Sequence, residues 1–290
     1  PETDRRRWVE SLRRDVGPPL TAPRTLGALG GVVASRIARE FRFGGPSFCV
    51  SGEAVAGLRA LDIGVQALRR NEMDAVLVGA VDLCGDMRRL IQQHALAPFS
   101  RHDDIRPFTP DADGTLPGEG SAALVLKPLD QAMAEGHRIY AVFRSSGHAG
   151  TGGYPSEKPD ADSYHRALMQ ALQKAQLPAE AIGYYEAHGS GHPAEDRIEA
   201  QVLAETFATA SPPVVVGTLK PNIGHTGAAA GLASVVKAAL CLRHAALPPV
   251  CRGSHPSRKK LPFELPDTAR PWPEDDRSGR LRACIAALTP

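Results

Sequence analysis

One apolar run does most to limit what this chain can fold into. The segment MDAVLVGAV at residues 73–81 has a single polar side chain. Such a run predicts a strand that is buried on both faces inside a helix-covered sheet. Just before it, residues 55–70 space their apolar side chains as an amphipathic helix does. A helix beside a doubly buried strand predicts an α/β fold.

The same alternation of strand and helix patterns continues along the chain. Further strands are predicted at residues 48–50, 121–129, 139–149, 182–188, 212–220 and 283–288. Further helices are predicted at residues 27–41, 162–176, 195–207 and 232–247. Their order indicates two similar α/β halves, a partial N-terminal half at 25–150 and a C-terminal half at 151–290 that is truncated at its end. A basic segment with a linker around Gly17, Pro18 and Pro19 precedes them at 1–24.

Composition excludes several classes of partner. Lys and Arg total 34 and Asp and Glu total 32, so the net charge of +2 gives no general attraction to nucleic acid or an anionic membrane. No apolar run approaches the roughly 20 residues that span a bilayer, and the first ten residues are mostly polar or charged. We therefore expect a cytoplasmic protein. Five cysteines without C-x-x-C spacing predict neither a disulfide framework nor a zinc site.

Two histidine turns are the strongest functional signal in the sequence. His188 lies in EAHGSGHPAEDRIEA and His225 in GTLKPNIGHTGAAAG, each directly after a predicted strand. Loops at the carboxyl ends of strands commonly build active sites in α/β proteins. Metal ligation is an alternative interpretation of His188, His192 and Glu195, but the intervening Gly-Ser-Gly and the proline do not form a helical H-E-x-x-H face. No metal site is predicted.

These two turns belong to a set of four ordered motifs. With GPSFCVSGEAVAGLRAL at 45–61 and RPFTPDADGTLPGEGSAALVL at 106–126, they resemble the signatures of the β-ketoacyl synthase family over roughly residues 25 to 282. The resemblance implies a thiolase-like fold, in which two α/β/α halves form a five-layered core, and usually a dimer. It also implies acyl substrates carried on the phosphopantetheine of an acyl carrier protein, with no bound cofactor.

The chain departs from the family where the family carries its nucleophile. Family members use one cysteine at a strand-to-helix elbow, where the helix N-terminus stabilises the thiolate. Alignment of Gly45, Pro46 and Ser47 with the family's opening places Ala54 at the cysteine position. Because a methyl group cannot attack a thioester, no acyl-enzyme is expected at this position. Cys49, on the preceding segment, is interpreted as a small buried hydrophobe.

The other functional positions of the family are retained. The resemblance assigns its His, Lys and His set to His188, Lys220 and His225. In the family the histidines assist decarboxylation of a malonyl unit, and two imidazole N–H groups can stabilise an enolate oxygen without a covalent step. The resemblance further assigns pantetheine contact to Ser190, with His192 in place of a second hydroxyl residue.

Three functional hypotheses follow. The first is a chain-length-factor-like domain of a polyunsaturated fatty-acid or polyketide synthase, which lacks the nucleophile and pairs with an active ketosynthase. The second is a malonyl-carrier-protein decarboxylase that uses His188 and His225. The third is a non-catalytic module that binds the carrier protein. A homodimer is the alternative to the heterodimer in the first hypothesis.

Overall fold

The computed structural model describes residues 2–17, 21–151, 160–250, 261, 263–272 and 281–289. Within these residues the helices are α1 (Glu2–Val16), α2 (Ala22–Ala28), α3 (Gly31–Phe41), α4 (Ala56–Arg69), α5 (Met87–Leu96), α6 (Leu129–Ala134), α7 (Ala161–Ala175), α8 (Pro193–Thr206), α9 (Lys220–Ile223) and α10 (Ala230–His244). The strands are β1 (Val76–Asp82), β2 (Gly120–Leu126), β3 (Tyr184–Glu186), β4 (Val215–Gly217), β5 (Ala246–Leu247), β6 (Arg270–Pro271) and β7 (Ala283–Ile285). The chain is thus a mixture of helix and strand, as predicted.

Residues 1–50 form one compact unit. It contains α1, α2 and α3, and α3 ends where Arg42 adopts a left-handed conformation with φ 56°. The strand predicted at residues 48–50 is wrong: the segment has no ladder partner among the described residues and is assigned no strand. A β-strand needs a neighbour for its backbone hydrogen bonds, which an apolar pattern cannot guarantee. Pro18 and Pro19 of the predicted linker lie outside the described residues.

Residues 51–290 form the second compact unit. In its first part, α4 packs on the antiparallel pair β1–β2. Gly64 permits this contact, because a Cβ there would lie 3.1 Å from side-chain atoms of both Val76 and Val78. Leu61, Val65, Val78 and Leu232 form a buried cluster that joins α4, β1 and α10.

Two strand predictions in this part need correction. The run at 73–81 does form β1, but the prediction of burial on both faces is wrong, because Leu77 and Val81 are 39% and 53% exposed. Only one face of the β1–β2 pair is covered by α4 and α10 within the described residues. The strand predicted at 139–149 is absent, since these residues find no ladder partner in the part of the chain that the structure describes.

The second part of this unit contains the sheet that positions the candidate site. Its described strands are parallel and run in the order β4-β3-β7, with β3 in the centre. All three residues of β3 and of β4 are buried. Tyr185, Leu168 and Leu203 belong to the cluster that packs α7 and α8 on this sheet. Parallel strands end at a common edge, so the residues that follow β3 and β4 lie side by side.

Candidate functional site

The two predicted histidine turns lie at that common edge. His188 follows β3 by two residues, and Lys220 follows β4 by three, where it begins the short helix α9. His225 comes after α9, and its imidazole ring lies 5.6 Å from that of His188, centroid to centroid, at an interplanar angle of 74°. The structure therefore brings His188, Lys220 and His225 together.

His188 is held as a neutral hydrogen-bond donor. Its Nδ1 accepts a hydrogen bond from the backbone N–H of Leu288 at 3.1 Å, which leaves the ring proton on Nε2. Burial lowers the pKa of the imidazole, and the positive charge of Lys220 lowers it further, against the opposing effect of Glu195. At neutral pH His188 thus presents an uncharged Nε2–H.

His225 has the same tautomer for the same reason. Its Nδ1 accepts from the backbone N–H of Gly227 at 3.0 Å, so its proton also lies on Nε2. Burial lowers its pKa well below the ordinary value, with further contributions from Lys220 and His188. Two neutral imidazoles at van der Waals range can each direct an N–H at an oxygen of a bound molecule.

Lys220 is buried beside His188. Its Nζ donates to the backbone carbonyl of His188 and lies 3.3 Å from the ring Nδ1. Burial lowers the pKa of the ammonium to about 8, although neighbouring carboxylates led by Glu199 oppose the shift. Lys220 is therefore mostly charged at neutral pH, and it fixes the backbone of the His188 turn while it keeps both imidazoles neutral.

Glu199, which sequence reasoning missed as a site residue, anchors the same turn from α8. Its two carboxylate oxygens accept the backbone N–H groups of His188 and Gly189, each at 2.8 Å, and one of them also accepts the hydroxyl of Tyr164. The residue is only 1% exposed. A buried carboxylate of this kind is stable because each oxygen has donors.

Ser190 and His192 lie on the same turn as His188. The hydroxyl of Ser190 is hydrogen-bonded within the protein, and Nε2 of His192 is buried. Ser190 Oγ donates to Glu195 Oε2 and accepts the backbone N–H of His192 at 3.1 Å. Nε2 of His192 is buried without a hydrogen-bond partner among the described residues. The predicted pantetheine contacts of Ser190 and His192 stay a prediction.

Ala54 lies on a 3-10 turn, Glu53–Val55, that leads into α4. Glu53 has a left-handed backbone with φ 49°, which makes the turn sharp. The turn packs against a second 3-10 turn, Gly227–Ala229, which begins two residues after His225. Thr289 Oγ1 also donates to Glu53 Oε2 at 2.7 Å, and Thr289 follows Leu288, whose N–H binds His188. The elbow is therefore adjacent to the histidine turns.

The described cysteines of the second unit, Cys84, Cys241 and Cys284, are not poised as nucleophiles. Burial raises the pKa of the thiols of Cys84 and Cys241, and it raises that of Cys284 to about 12. Each is thus protonated at neutral pH, and Cys84 Sγ donates to the carbonyl of Gly118 at 3.1 Å. In the first unit, Cys49 Sγ donates to the carbonyl of Gly30 at 3.0 Å and the residue is exposed, so its interpretation as buried is wrong.

The described residues hold neither a candidate metal site nor a helix that could cross a membrane. They contain no group of three or more His, Cys, Asp or Glu side chains that could hold a metal ion. Among the same residues, each helix is too short or too polar to cross a membrane.

The lowered imidazole pKa of His225 predicts a pH dependence of stability. An unfolded histidine titrates near 6.5, whereas folded His225 resists protonation, so the unfolded state binds more protons as the pH falls below about 6.5. In the His225→Asn variant the amide oxygen can still accept from Gly227. Between pH 7.5 and pH 5, the free energy of unfolding of this variant should fall by about 1–2 kcal/mol less than that of the wild type. Chemical denaturation at both pH values measures this. His165→Asn, at an exposed position of α7, is the control and should show the pH dependence of the wild type. If the free energy of unfolding changed equally with pH in all three proteins, folded His225 would not be held neutral.

Family comparisons agree with the geometry. Models of the N-terminal and C-terminal domains of β-ketoacyl synthase match residues 7–132 and 140–254. The spectinabilin polyketide synthase system protein NorC of Streptomyces orinoci is 36% identical over 260 residues, which are 86% of this chain and 11% of that protein. The chain therefore spans about a tenth of the length of this relative.

Solved ketosynthase structures share the fold. The ketosynthase from module 6 of the bacillaene synthase of Bacillus subtilis 168 superposes with a TM-score of 0.82 at 29% identity, over 92% of this chain and 50% of that one. The ishigamide ketosynthase/chain length factor gives a TM-score of 0.75 at 28% identity, over 84% of this chain and 59% of that one. These similarities confirm the thiolase-like α/β fold class.

Proposed function

The chain belongs to the β-ketoacyl synthase family, and from that premise we propose that it is a chain-length-factor-like domain of a polyketide or fatty-acid synthase. In this proposal it performs no condensation of its own and pairs with an active ketosynthase. The observation that carries the proposal is Ala54. A side chain without a nucleophilic atom occupies the sharp turn that packs against the 3-10 turn Gly227–Ala229, in the position that the family resemblance gives to the cysteine.

A large cleft supports a role in shaping the path of an acyl chain. The cleft has a volume of 2110 Å³ and lies among α4, α7, α10 and β7, with a lining that is mostly apolar. It reaches Leu288, whose backbone N–H binds His188, and Thr289, whose hydroxyl binds Glu53. An apolar cleft that reaches a residue hydrogen-bonded to His188 suits an acyl chain carried on phosphopantetheine.

The bare face of β1–β2 supports the pairing. Leu77, Val81 and Val125 point to this face and are 39%, 53% and 78% exposed. An apolar sheet face of this kind is normally covered by another layer. In our proposal the thiolase-like partner helps to cover this face.

Co-expression with a cysteine-bearing ketosynthase from the same biosynthetic system tests the proposal. We expect a 1:1 complex by light scattering after size-exclusion chromatography. The matched control is the same ketosynthase co-expressed with an unrelated thiolase-fold protein. A chain that elutes alone, or only as a homodimer, would overturn the pairing.

The two imidazole donors favour a second candidate, malonyl decarboxylation. Both His188 and His225 carry their proton on Nε2, as stabilisation of an enolate oxygen requires. Incubation with malonyl carrier protein, followed by mass spectrometry for the acetyl product, tests this candidate. Loss of product in the His188→Ala variant would support it, and a wild-type rate equal to background would exclude it as an activity of the unmodified chain.

A further inference from the structure

Glu195 is a carboxylate that lies in the site without a role in the functions considered so far. It occupies the first turn of α8, and its side chain is 17% exposed whereas that of His188 is 5% exposed. Its Oε2 lies 3.5 Å from Nε2 of His188 and accepts the hydroxyl hydrogen of Ser190. The carboxylate is thus fixed from one side by Ser190 and faces the histidine from the other.

The charge of this carboxylate is permanent at neutral pH. Burial alone would raise the pKa of Glu195, but hydrogen bonds from His188 and Ser190 and the nearby imidazoles outweigh it and lower the pKa to about 2. The N-terminus of α8 adds a favourable dipole. Lys220 interacts with this charge less strongly than with that of Glu199, since its ammonium lies on the Nδ1 side of His188, whereas Glu195 faces Nε2.

The same carboxylate stands where a ligand oxygen would bind. Because Nδ1 of His188 is occupied by Leu288, Nε2–H is the donor that remains for a ligand. An oxygen atom that accepts this proton must share it with Oε2 of Glu195, 3.5 Å away. A neutral carbonyl oxygen can approach such a pair, whereas a second carboxylate nearby is repelled.

We infer that Glu195 is a specificity-determining residue, which makes the His188–His225 pair accept uncharged acyl groups and reject acyl groups that end in a carboxylate. This inference rests on the proposed function, because a pairing partner that shapes a growing chain would receive uncharged acyl chains. It argues against the second candidate, malonyl decarboxylation, because the His188 donor suited to the enolate faces a fixed negative charge.

Binding measurements on two matched ligands test the inference. The probes are acetyl-pantetheine and malonyl-pantetheine analogues in which an amide replaces the thioester, so that neither ligand reacts. Isothermal titration of the full chain should give a dissociation constant for the malonyl analogue at least about tenfold above that for the acetyl analogue, as expected for two like charges a few ångströms apart.

Glu195→Gln isolates the charge. The glutamine amide oxygen can still accept from Ser190, so the turn keeps its shape while the charge is removed. We expect the ratio of the two dissociation constants to fall to about 1–3, since little like-charge repulsion remains. Glu205→Gln is the matched control: it removes one negative charge from the exposed end of the same helix and should keep the wild-type ratio.

The outcomes separate this inference from the proposed function. Equal binding of both analogues by the wild type would overturn the inference whether or not Glu195→Gln folds, and so would an unchanged ratio in a folded Glu195→Gln. Absence of binding of either analogue would overturn it as well. None of these results bears on whether the chain forms a complex with a ketosynthase, which the co-expression experiment measures independently.

Discussion

Replacement of Ala54 by cysteine is expected to convert a chain that forms no acyl-enzyme into one that is acylated at that position. The reason is local geometry. Residue 54 sits on the sharp turn before α4, beside the turn that follows His225. A thiol there would lie at the N-terminus of a 14-residue helix, which lowers a thiol pKa and favours the thiolate.

The measurement is intact-mass spectrometry after incubation with an acyl-pantetheine thioester. The wild type should show no adduct and Ala54→Cys close to one acyl group per chain. Ala56→Cys is the matched control, because residue 56 begins α4 but is buried, 8% exposed. If Ala56→Cys were acylated as fully as Ala54→Cys, or if neither were acylated, residue 54 would not be the nucleophile position.

Replacement of Glu199 by glutamine is expected to give the largest loss of stability of any single change in the site. The carboxylate accepts three hydrogen bonds, from two backbone N–H groups and the hydroxyl of Tyr164. Glutamine has one acceptor oxygen and an NH2 group that would face a backbone donor, so at least one buried donor loses its partner. Lys220, which is buried nearby, also loses a compensating charge. The free energy of unfolding should fall by about 3–5 kcal/mol.

Urea denaturation at pH 7 measures this effect. Glu205→Gln, on the same helix but exposed, is the control and should change the free energy of unfolding by less than about 0.5 kcal/mol. A Glu199→Gln variant as stable as this control would show that the carboxylate does not anchor the His188 turn.

The strands that build the site could be predicted from the sequence, because each has the neighbouring strands and covering helices that its apolar pattern implies. β3 and β4 are buried at all positions in a parallel sheet with helices packed against it. The same reasoning overestimated the burial of β1, whose sheet is covered on one face in the described residues. It also placed strands at 48–50 and 139–149, since an apolar pattern reports a tendency to burial and not the presence of a ladder partner.

The histidines and the lysine could be predicted as neighbours, because they follow parallel strands. Their tautomers could not. The donor to His188 Nδ1 is the backbone of Leu288, 100 residues further along the chain, and no side-chain pattern marks it. The roles of the two α8 carboxylates are equally hidden: the sequence marks Glu195 only as an alternative metal ligand, and it gives Glu199 no role beyond the predicted helix at 195–207. Acidic residues near a helix N-terminus usually interact with solvent and the helix dipole, so their contacts with His188 required the folded structure.

Native mass spectrometry of the complex with a cysteine-bearing ketosynthase, after exposure to an acyl-pantetheine thioester, tests the central claim most directly. We expect a 1:1 complex in which the acyl group is attached to the ketosynthase alone and this chain keeps its unmodified mass. An acyl group attached to this chain, mapped by peptide analysis to Cys49 or any other residue, would contradict it.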